Sequence, residues 1–444
     1  GGEGNDWLES GLDNGLMLGD NGDLVQGLPI KRSVDSSVVG HDVLVATGGN
    51  ADFDAEQGDD VMVGGYGTDR FFGQFGFDWA TYKNDAYGLE ADMNLRLFAP
   101  PTLPGSPGAI LDRYAQMEAL SGSRKSDILR GDDETDLGAG GGVAANNELP
   151  LDHALKDRNV SLFRGLDEWL GSIDEAGENR FSAGNILLGG SGSDIIEGRG
   201  GNDLIDGNNW LNVRIEVRAL DALGNVTDEV LESVDGMAAL QERMFAGELK
   251  AKQLFIVREI VDTQQGPNGE TLVGGPSNQA DIDNVDIAQF SAVRADYEVE
   301  GVVDGDLLTA SDVDGDGFIS VTHLVRDANG VVQAGQIGVD GIDRLKNIER
   351  LMFSDGTFKI TNHANTIATG APTITVVGGG PLEVGATLLA SAVGISDVDG
   401  ISSEIVFYWQ VVLEPGSRVL GKIHKVGADD LPPITDPRIT LRAA

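Results

Sequence analysis

The sequence predicts a mainly β protein: parallel β-roll blocks with helical inserts and capping strands, followed by a fragment of a β-sandwich. Three observations lead there. A nine-residue period of Gly, Asp and an apolar residue runs through residues 37–81 and returns elsewhere in the chain. Gly and Asp are enriched together, at 63 and 48 of 444 residues, while Glu supplies only 24 of the 72 acids. From about residue 366 the period gives way to short alternating apolar runs separated by turn residues.

The period is clearest when residues 37–81 are cut into nines: SVVGHDVLV, ATGGNADFD, AEQGDDVMV, GGYGTDRFF, GQFGFDWAT. The fourth position is always Gly (Gly40, Gly49, Gly58, Gly67, Gly76). The sixth is Asp42, Ala51, Asp60, Asp69 and Asp78, and the eighth is apolar throughout (Leu44, Phe53, Met62, Phe71, Ala80). The same frame fits GGEGNDWLE at 1–9, with Asp6, followed by the degenerate SGLDNGLML at 10–18. It fits RFSAGNILL, GGSGSDIIE and GRGGNDLID at 180–206, with Asn185, Asp194 and Asp203 in sixth place. GSRKSDILR at 122–130 keeps Asp127 and Leu129 but lacks the Gly.

Each part of the repeat has a physical role. Glycines accept positive φ and turn tightly while exposing carbonyl oxygens. The Asp adds a hard anionic oxygen, and calcium takes six to eight such ligands. The last three residues form a short strand whose middle side chain points inward. A single turn cannot bury that side chain, so the turns must stack. A parallel β-roll with calcium along its turn edges is the expected outcome.

GGEGNDWLE, GGSGSDIIE and GRGGNDLID resemble the GGxGxDxUx repeats of the RTX, or hemolysin-type, calcium-binding proteins exported by type I secretion. The resemblance implies several Ca2+ ions, each between the loops of stacked turns and held by Asp carboxylates and carbonyls of the Gly-rich turn. The residues in the ligand position are Asp6, Asp42, Asp60, Asp69, Asp78, Asp127, Asn185, Asp194 and Asp203. The phase pairs residues two turns apart, Asp42 with Asp60 and Asp60 with Asp78; Ala51 opposite Asp69 is expected to make a weaker site.

Residues 1–139 are thus expected to form a first RTX block with a capping segment, 140–179 a helical insert, and 180–207 a second block. Residues 208–365 follow as a strand, helix and capping region. DRYAQMEAL (112–120) and DRLKNIERL (343–351) share Asp, Arg, Glu and Leu at matching places. Both follow strand-like stretches, DWATYKNDAYGLEADMNL (78–95) and DNVDIAQFSAVRADYEV (283–299), and both suit the open end of a solenoid. Helical spacing is read at Leu162, Leu166, Trp169 and Leu170, and over 236–261 at Leu240, Met244, Leu249, Leu254 and Val257. NNWLNVRIEVR (208–218) alternates like a half-buried strand.

DVDGDGFIS (312–320) places Asp312, Asp314, Asp316 and Gly317 at the one, three, five and six positions of a calcium loop, with His323 at the twelfth place. These three Asp are further metal candidates. Residues 366–444, with Trp409 on their strongest strand, resemble part of a bacterial immunoglobulin-like module.

The net charge of −41 excludes nucleic acid, which needs a basic face, and disfavours anionic membranes. No apolar run reaches the roughly 18 residues of a spanning helix. Cysteine is absent, which excludes disulfides and thiol chemistry. The five histidines stand apart, and no H-E-x-x-H, G-x-S-x-G or phosphate-binding loop occurs. No catalytic residue is expected within this chain. Gly1 opens it without an initiator Met, as expected of a piece of a longer secreted protein. The order of segments over about 1–360 resembles the tail that follows animal-type haem peroxidase domains in proteobacteria. That implies a haem enzyme upstream as partner, with haem bound there and not here. The alternative is a structural or adhesive surface scaffold presenting immunoglobulin-like or other binding domains.

Overall fold

The computed structural model describes residues 1–11, 15–20, 40–97, 111–133, 153–172, 178–182, 184–262, 285–302, 312 and 316–360, and elsewhere only the backbone of short strands. The chain divides into two compact units, Gly1–Ile360 and Thr361–Ala444. It is mainly β, and the longest helix among the described residues, Gln241–Phe245, has five residues.

In the first unit the nine-residue repeats alternate between facing sheets. Trp7–Glu9, Val43–Val45, Val61–Val63, Trp79–Thr81, Ala119–Ser121, Ile186–Leu188 and Leu204–Asp206 run parallel in one sheet. Val332–Lys346 extends it, and Ile319–Arg326 and Tyr297–Val299 close it in antiparallel sense. Gly15–Leu18, Ala51–Gln57, Arg70–Phe75 and Arg113–Ala115 form a second parallel sheet. Glu90–Asp92, Ile128–Arg130, Ile195–Glu197, Ile287–Gln289 and Arg350–Phe353 form a third, ended by the antiparallel Gly356–Lys359. Val43 pairs with Val61 and Val61 with Trp79, two repeats on each time.

The eighth-position residues Leu44, Phe53, Met62, Phe71, Ala80, Leu129, Ile196 and Ile205 all belong to one buried cluster. Phe71 stacks between Phe53 and Tyr114, with ring centroids 4.9 and 5.3 Å away. Full burial of each such side chain contributes about 1.5–3 kcal/mol. The seventh and ninth positions of the first sheet, among them Val43, Val45, Val61, Val63 and Trp79, point the other way into a second cluster. Leu155, Val160, Phe163, Leu166 and Trp169 cover them there, joined by Leu211 and Val213. A parallel sheet covered on both faces has apolar residues at every position, and VLV, VMV and ILL read that way.

Two expectations for the inserts are corrected. Helical spacing around Leu162–Leu170 yields only the helix Asp157–Val160; Gly165 at φ 85° turns the chain, and the apolar residues reach the sheet from turns. The helical stretch expected over 236–261 stops at Phe245, and Leu254 and Val257 lie on the strand Leu254–Asp262. Its run of Ile256, Val257, Ile260 and Val261 favours β structure, and it pairs antiparallel with Asn209–Leu220. That partner strand is buried on both faces from Asn209 to Val217, rather than half-buried. Its second face survives burial through ion pairs: the Arg214 guanidinium meets Glu259 through two bonds, at 2.6 and 3.1 Å.

In the unit Thr361–Ala444 the strands pair antiparallel in small sheets, among them Thr373–Val376 with Leu388–Ser391 and Trp409–Glu414 with Ser417–Leu420 and Thr440–Ala443.

Candidate cation-binding turns

The sixth-position residues are joined coil to coil by one recurrent hydrogen bond. The backbone N–H of each donates to a side-chain oxygen of its counterpart in the next coil, over 2.6 to 3.0 Å. Before the strands of the first sheet the donors and acceptors run Asp6, Asp42, Asp60, Asp78 and Glu118. Further along the same edge they run Asn185, Asp203 and Asp343. On the opposite edge one row is Ala51, Asp69 and Asp112. The other is Leu89, Asp127, Asp194, Asp286 and Glu349.

The fifth position laces the turns in the opposite sense. Phe77 donates its N–H to Asp59 Oδ1, Asp59 to His41 Nδ1 and His41 to Asn5 Oδ1. Thr68 to Asn50, Ser193 to Ser126 and Ile342 to Asn202 repeat the pattern. His41 accepts as a neutral ring, and burial, with Arg258 and Arg158 nearby, lowers its pKa to about 4.

The ladder consumes one oxygen of each Asp. In Asp42, Asp60, Asp78, Asp194, Asp203 and Asp286 the other, Oδ2, is buried with no hydrogen-bond partner among the described residues. These carboxyls are almost fully shielded from solvent. Where the first repeat position is Gly, its Cα lies against that oxygen: Gly73 at Asp78, Gly189 at Asp194 and Gly198 at Asp203, where a Cβ would collide with Oδ2. The fourth-position glycines stack backbone to backbone, Gly58 against the Gly40 carbonyl and Gly76 against that of Gly58. Carboxylate oxygens and main-chain carbonyls are thus held together on the turn edges, the donor set a hard cation takes.

The electrostatics agree with the geometry. Burial pushes the Asp42 carboxyl up to about 7 and that of Asp194 to about 8. Burial and the neighbouring Asp194 charge take Asp286 to about 9. Burial also drives Asp60, Asp78 and Asp203 well above the ordinary range, Asp78 adding to the effect at Asp60 and Glu118 at Asp78. A row of buried acids with raised pKa values favours binding a cation over ionising alone.

The remaining sequence candidates are placed differently. Asp69 uses both oxygens within the protein, accepting from Ala51 and from Gly65 in its own turn. Asp127 accepts from Leu89 and twice from Ser123, and its pKa rises only to about 6 through burial. Asn185 commits both ends of its amide, to the Asp132 N–H and the Glu118 carbonyl. Asp6 is half-buried at the first coil. Asp312 and Asp316 are exposed; Asp312 accepts from the N–H groups of Asp316 and Gly317, and Asp316 pairs with Arg344 at 2.8 Å. A strand, Ile319–Arg326, follows Asp316. Asp314 lies outside the described residues. Among those residues no three His, Asp or Glu side chains converge as a ready chelate, and no helix is long and apolar enough to cross a membrane.

Each of the two expected capping segments ends a side-chain ladder, but only the second stands where the parallel run stops. The strand Ala119–Ser121 of the first is paired in parallel on both sides, with Trp79–Thr81 and Ile186–Leu188, and so lies inside the parallel sheet rather than at its open end. Asp112 and Glu118 accept from Asp69 and Asp78, and Asp343 and Glu349 accept from Asp203 and Asp286. Between Asp and Glu the chain turns at Gln116 and Asn347, both left-handed at φ 55° and 54°. Glu118 also meets the buried His153, Oε1 to Nδ1 3.1 Å. The sequence reading missed Asp286 as a ladder member. Its signal is the paired segment DNVDIAQ, in which Asp286, Ile287 and Ala288 stand where Asp78, Trp79 and Ala80 stand in the other.

No protein-family model matches the chain, and a search of curated proteins finds no match either.

Proposed function

We propose that the chain is a non-catalytic, calcium-binding RTX module whose first unit is a β-roll that folds on Ca2+ outside the cell. The observation that carries this reading is the buried Oδ2 atom left over at Asp42, Asp60, Asp78, Asp194 and Asp203 after the ladder is made. Those oxygens, with the carbonyls of the adjoining Gly-rich turns, are the ligands assigned to the ions. Bound calcium supplies positive charge to buried carboxylates; the ladder and the glycine stacking supply the geometry. Where calcium is scarce the charge of −41 keeps the chain loose and exportable by type I secretion. At extracellular calcium, on the order of a millimolar, ion binding adds directly to folding free energy. On this reading the module supports secretion and stability of a larger protein, a haem peroxidase by the resemblance noted above.

A second reading assigns a structural or adhesive role at a cell surface. The antiparallel strand pairs within Thr361–Ala444 favour it, since an immunoglobulin-like module there is suited to presenting binding domains.

A calcium titration followed by circular dichroism, with chelator and magnesium controls, tests the proposal. A cooperative gain of β signal with calcium alone is expected. Equal folding in chelator overturns calcium-driven folding and moves the preformed scaffold ahead.

A further inference from the structure

Three consecutive coils of the first edge carry oxygen-bearing side chains at the second repeat position, where the GGxGxDxUx pattern has Gly. They are Asp20, Glu56 and Gln74. Glu56 and Gln74 take the left-handed φ values of 76° and 75° that glycine adopts without strain. All three side chains are buried, Glu56 to 1 % exposure. Asp20 Oδ1, both oxygens of Glu56 and Gln74 Oε1 have no hydrogen-bond partner among the described residues.

This arrangement is unfavourable for the protein alone. Holding a non-glycine residue in the left-handed region is strained, and burying a carboxylate without a partner costs more. The charges of Asp54, Asp20 and Asp42 that act on Glu56 are all negative. Protonation would remove the charge but leave the oxygens without hydrogen bonds. The same edge holds the leftover Oδ2 atoms of Asp42, Asp60 and Asp78. Oxygen ligands from two positions of the repeat therefore lie on the same few coils. The second block carries no acid there: its second positions are Phe181, Gly190 and Arg199, and Arg199 is engaged with Asp92 at 2.7 and 2.9 Å.

We propose that Glu56, aided by Asp20 and Gln74, is a direct side-chain ligand to calcium on this edge and makes the Asp42–Asp78 stretch the tightest site of the chain. The inference rests on the calcium reading above. Because no three carboxylates converge among the described residues, Glu56 is assigned to an ion with one other acid, and amide and main-chain oxygens fill the remaining places. Calcium affinity follows ligand charge, so an added carboxylate sets this stretch apart from the second block.

Calorimetric titration of the full chain with calcium, for the parent, Glu56→Gln and Glu56→Gly, tests the assignment, with circular dichroism at saturating calcium to verify folding. The tightest step is expected to weaken tenfold or more in Glu56→Gly, although glycine relieves the backbone, and several-fold in Glu56→Gln. Parent-like or tighter binding by Glu56→Gly overturns the role of Glu56 while leaving the calcium module standing. If Glu56→Gly does not fold, parent-like binding by Glu56→Gln has the same force. A parent chain that binds no calcium overturns both readings.

Discussion

Asp42 donates its backbone N–H to Asp60 Oδ1 over 2.6 Å, and Asp60 donates in turn to Asp78 Oδ1 over 2.9 Å. The two oxygens of each carboxylate are therefore separable: one fixes the spacing between coils, and the other is buried with no hydrogen-bond partner among the described residues. Asp60→Asn separates them, because the amide keeps the Oδ1 acceptor and loses the second anionic oxygen. In chelator the variant is expected to be at least as stable as the parent, since a buried acid has been removed. In saturating calcium it is expected to be less stable by about 1–3 kcal/mol, the range for losing a buried polar partner. Urea unfolding in the two conditions measures both. The same change in stability with and without calcium would show that the second oxygen of Asp60 takes no part in holding an ion.

Asp127 and Asp194 sit one coil apart in the same row, but only Asp194 has an oxygen left over. Ser123 holds the second oxygen of Asp127 through its backbone N–H at 2.6 Å. Asp194→Asn is accordingly expected to lower the number of calcium ions bound at saturation. Asp127→Asn is expected to leave that number unchanged while destabilising its own turn, where an amide N–H would face the Ser123 N–H. Equilibrium dialysis with calcium decides the point; loss of an ion in Asp127→Asn would contradict the division of the ladder into two classes.

The pH dependence has a definite sign. In the metal-free fold Asp42 titrates near 7, Asp194 near 8 and Asp286 near 9, each raised first by burial. The unfolded chain titrates these groups near 4, so the folded state binds more protons between those limits and loses stability as pH rises. In chelator the melting temperature is expected to fall as pH rises from 5, most steeply between 5 and 7, and to flatten toward pH 9 as Asp42, Asp194 and Asp286 ionise in the folded state as well. On the calcium reading, bound ions favour the ionised forms, and added calcium is expected to flatten or reverse the trend. Melting curves across this range, with calcium and with chelator, give the comparison. A chelated protein that gains stability as pH rises would rule out the buried Asp rows as its source.

Much of this fold is visible in the repeat because Gly and Asp at fixed phase determine both turn and strand. The pairing of Asp42 with Asp60 and of Asp60 with Asp78 is a matter of counting. A second regularity is present but fainter: VLV and VMV alternate with DFD and RFF. That eighteen-residue pattern marks the sheet covered on both faces, and it is masked because every repeat has the same apolar eighth position. The strand Leu254–Asp262 was obscured by neighbours with helical spacing, and its place was decided by pairing with Asn209–Leu220, a contact that local propensity does not encode. Asp286 was obscured because its turn lacks the glycines of the repeat, and its role is set by the stacked coil beside it. Glu56 looks like a flaw in the repeat until its burial is known.

The capping segments provide the sharpest test of the ladder as a unit. Within the repeats successive acceptors such as Asp69 and Asp78 are nine residues apart, but Asp343 and Glu349 are only six apart, as are Asp112 and Glu118. The shortened turn omits the Gly-rich loop and passes through a single left-handed residue, Asn347 at φ 54°. A longer side chain then makes up the distance: Glu349 Oε2 reaches the Asp286 N–H at 2.8 Å. Glu349→Asp keeps the charge but shortens the arm by one methylene, leaving that N–H without its acceptor. It is expected to cost about 1–3 kcal/mol, nearly as much as Glu349→Ala, and to raise hydrogen exchange at the Asp286 amide. Glu349→Gln keeps the reach and is expected to retain most of the protection. If Glu349→Asp instead protects the amide as well as the parent does, the exchange of Asp for Glu at the caps has no geometric cause.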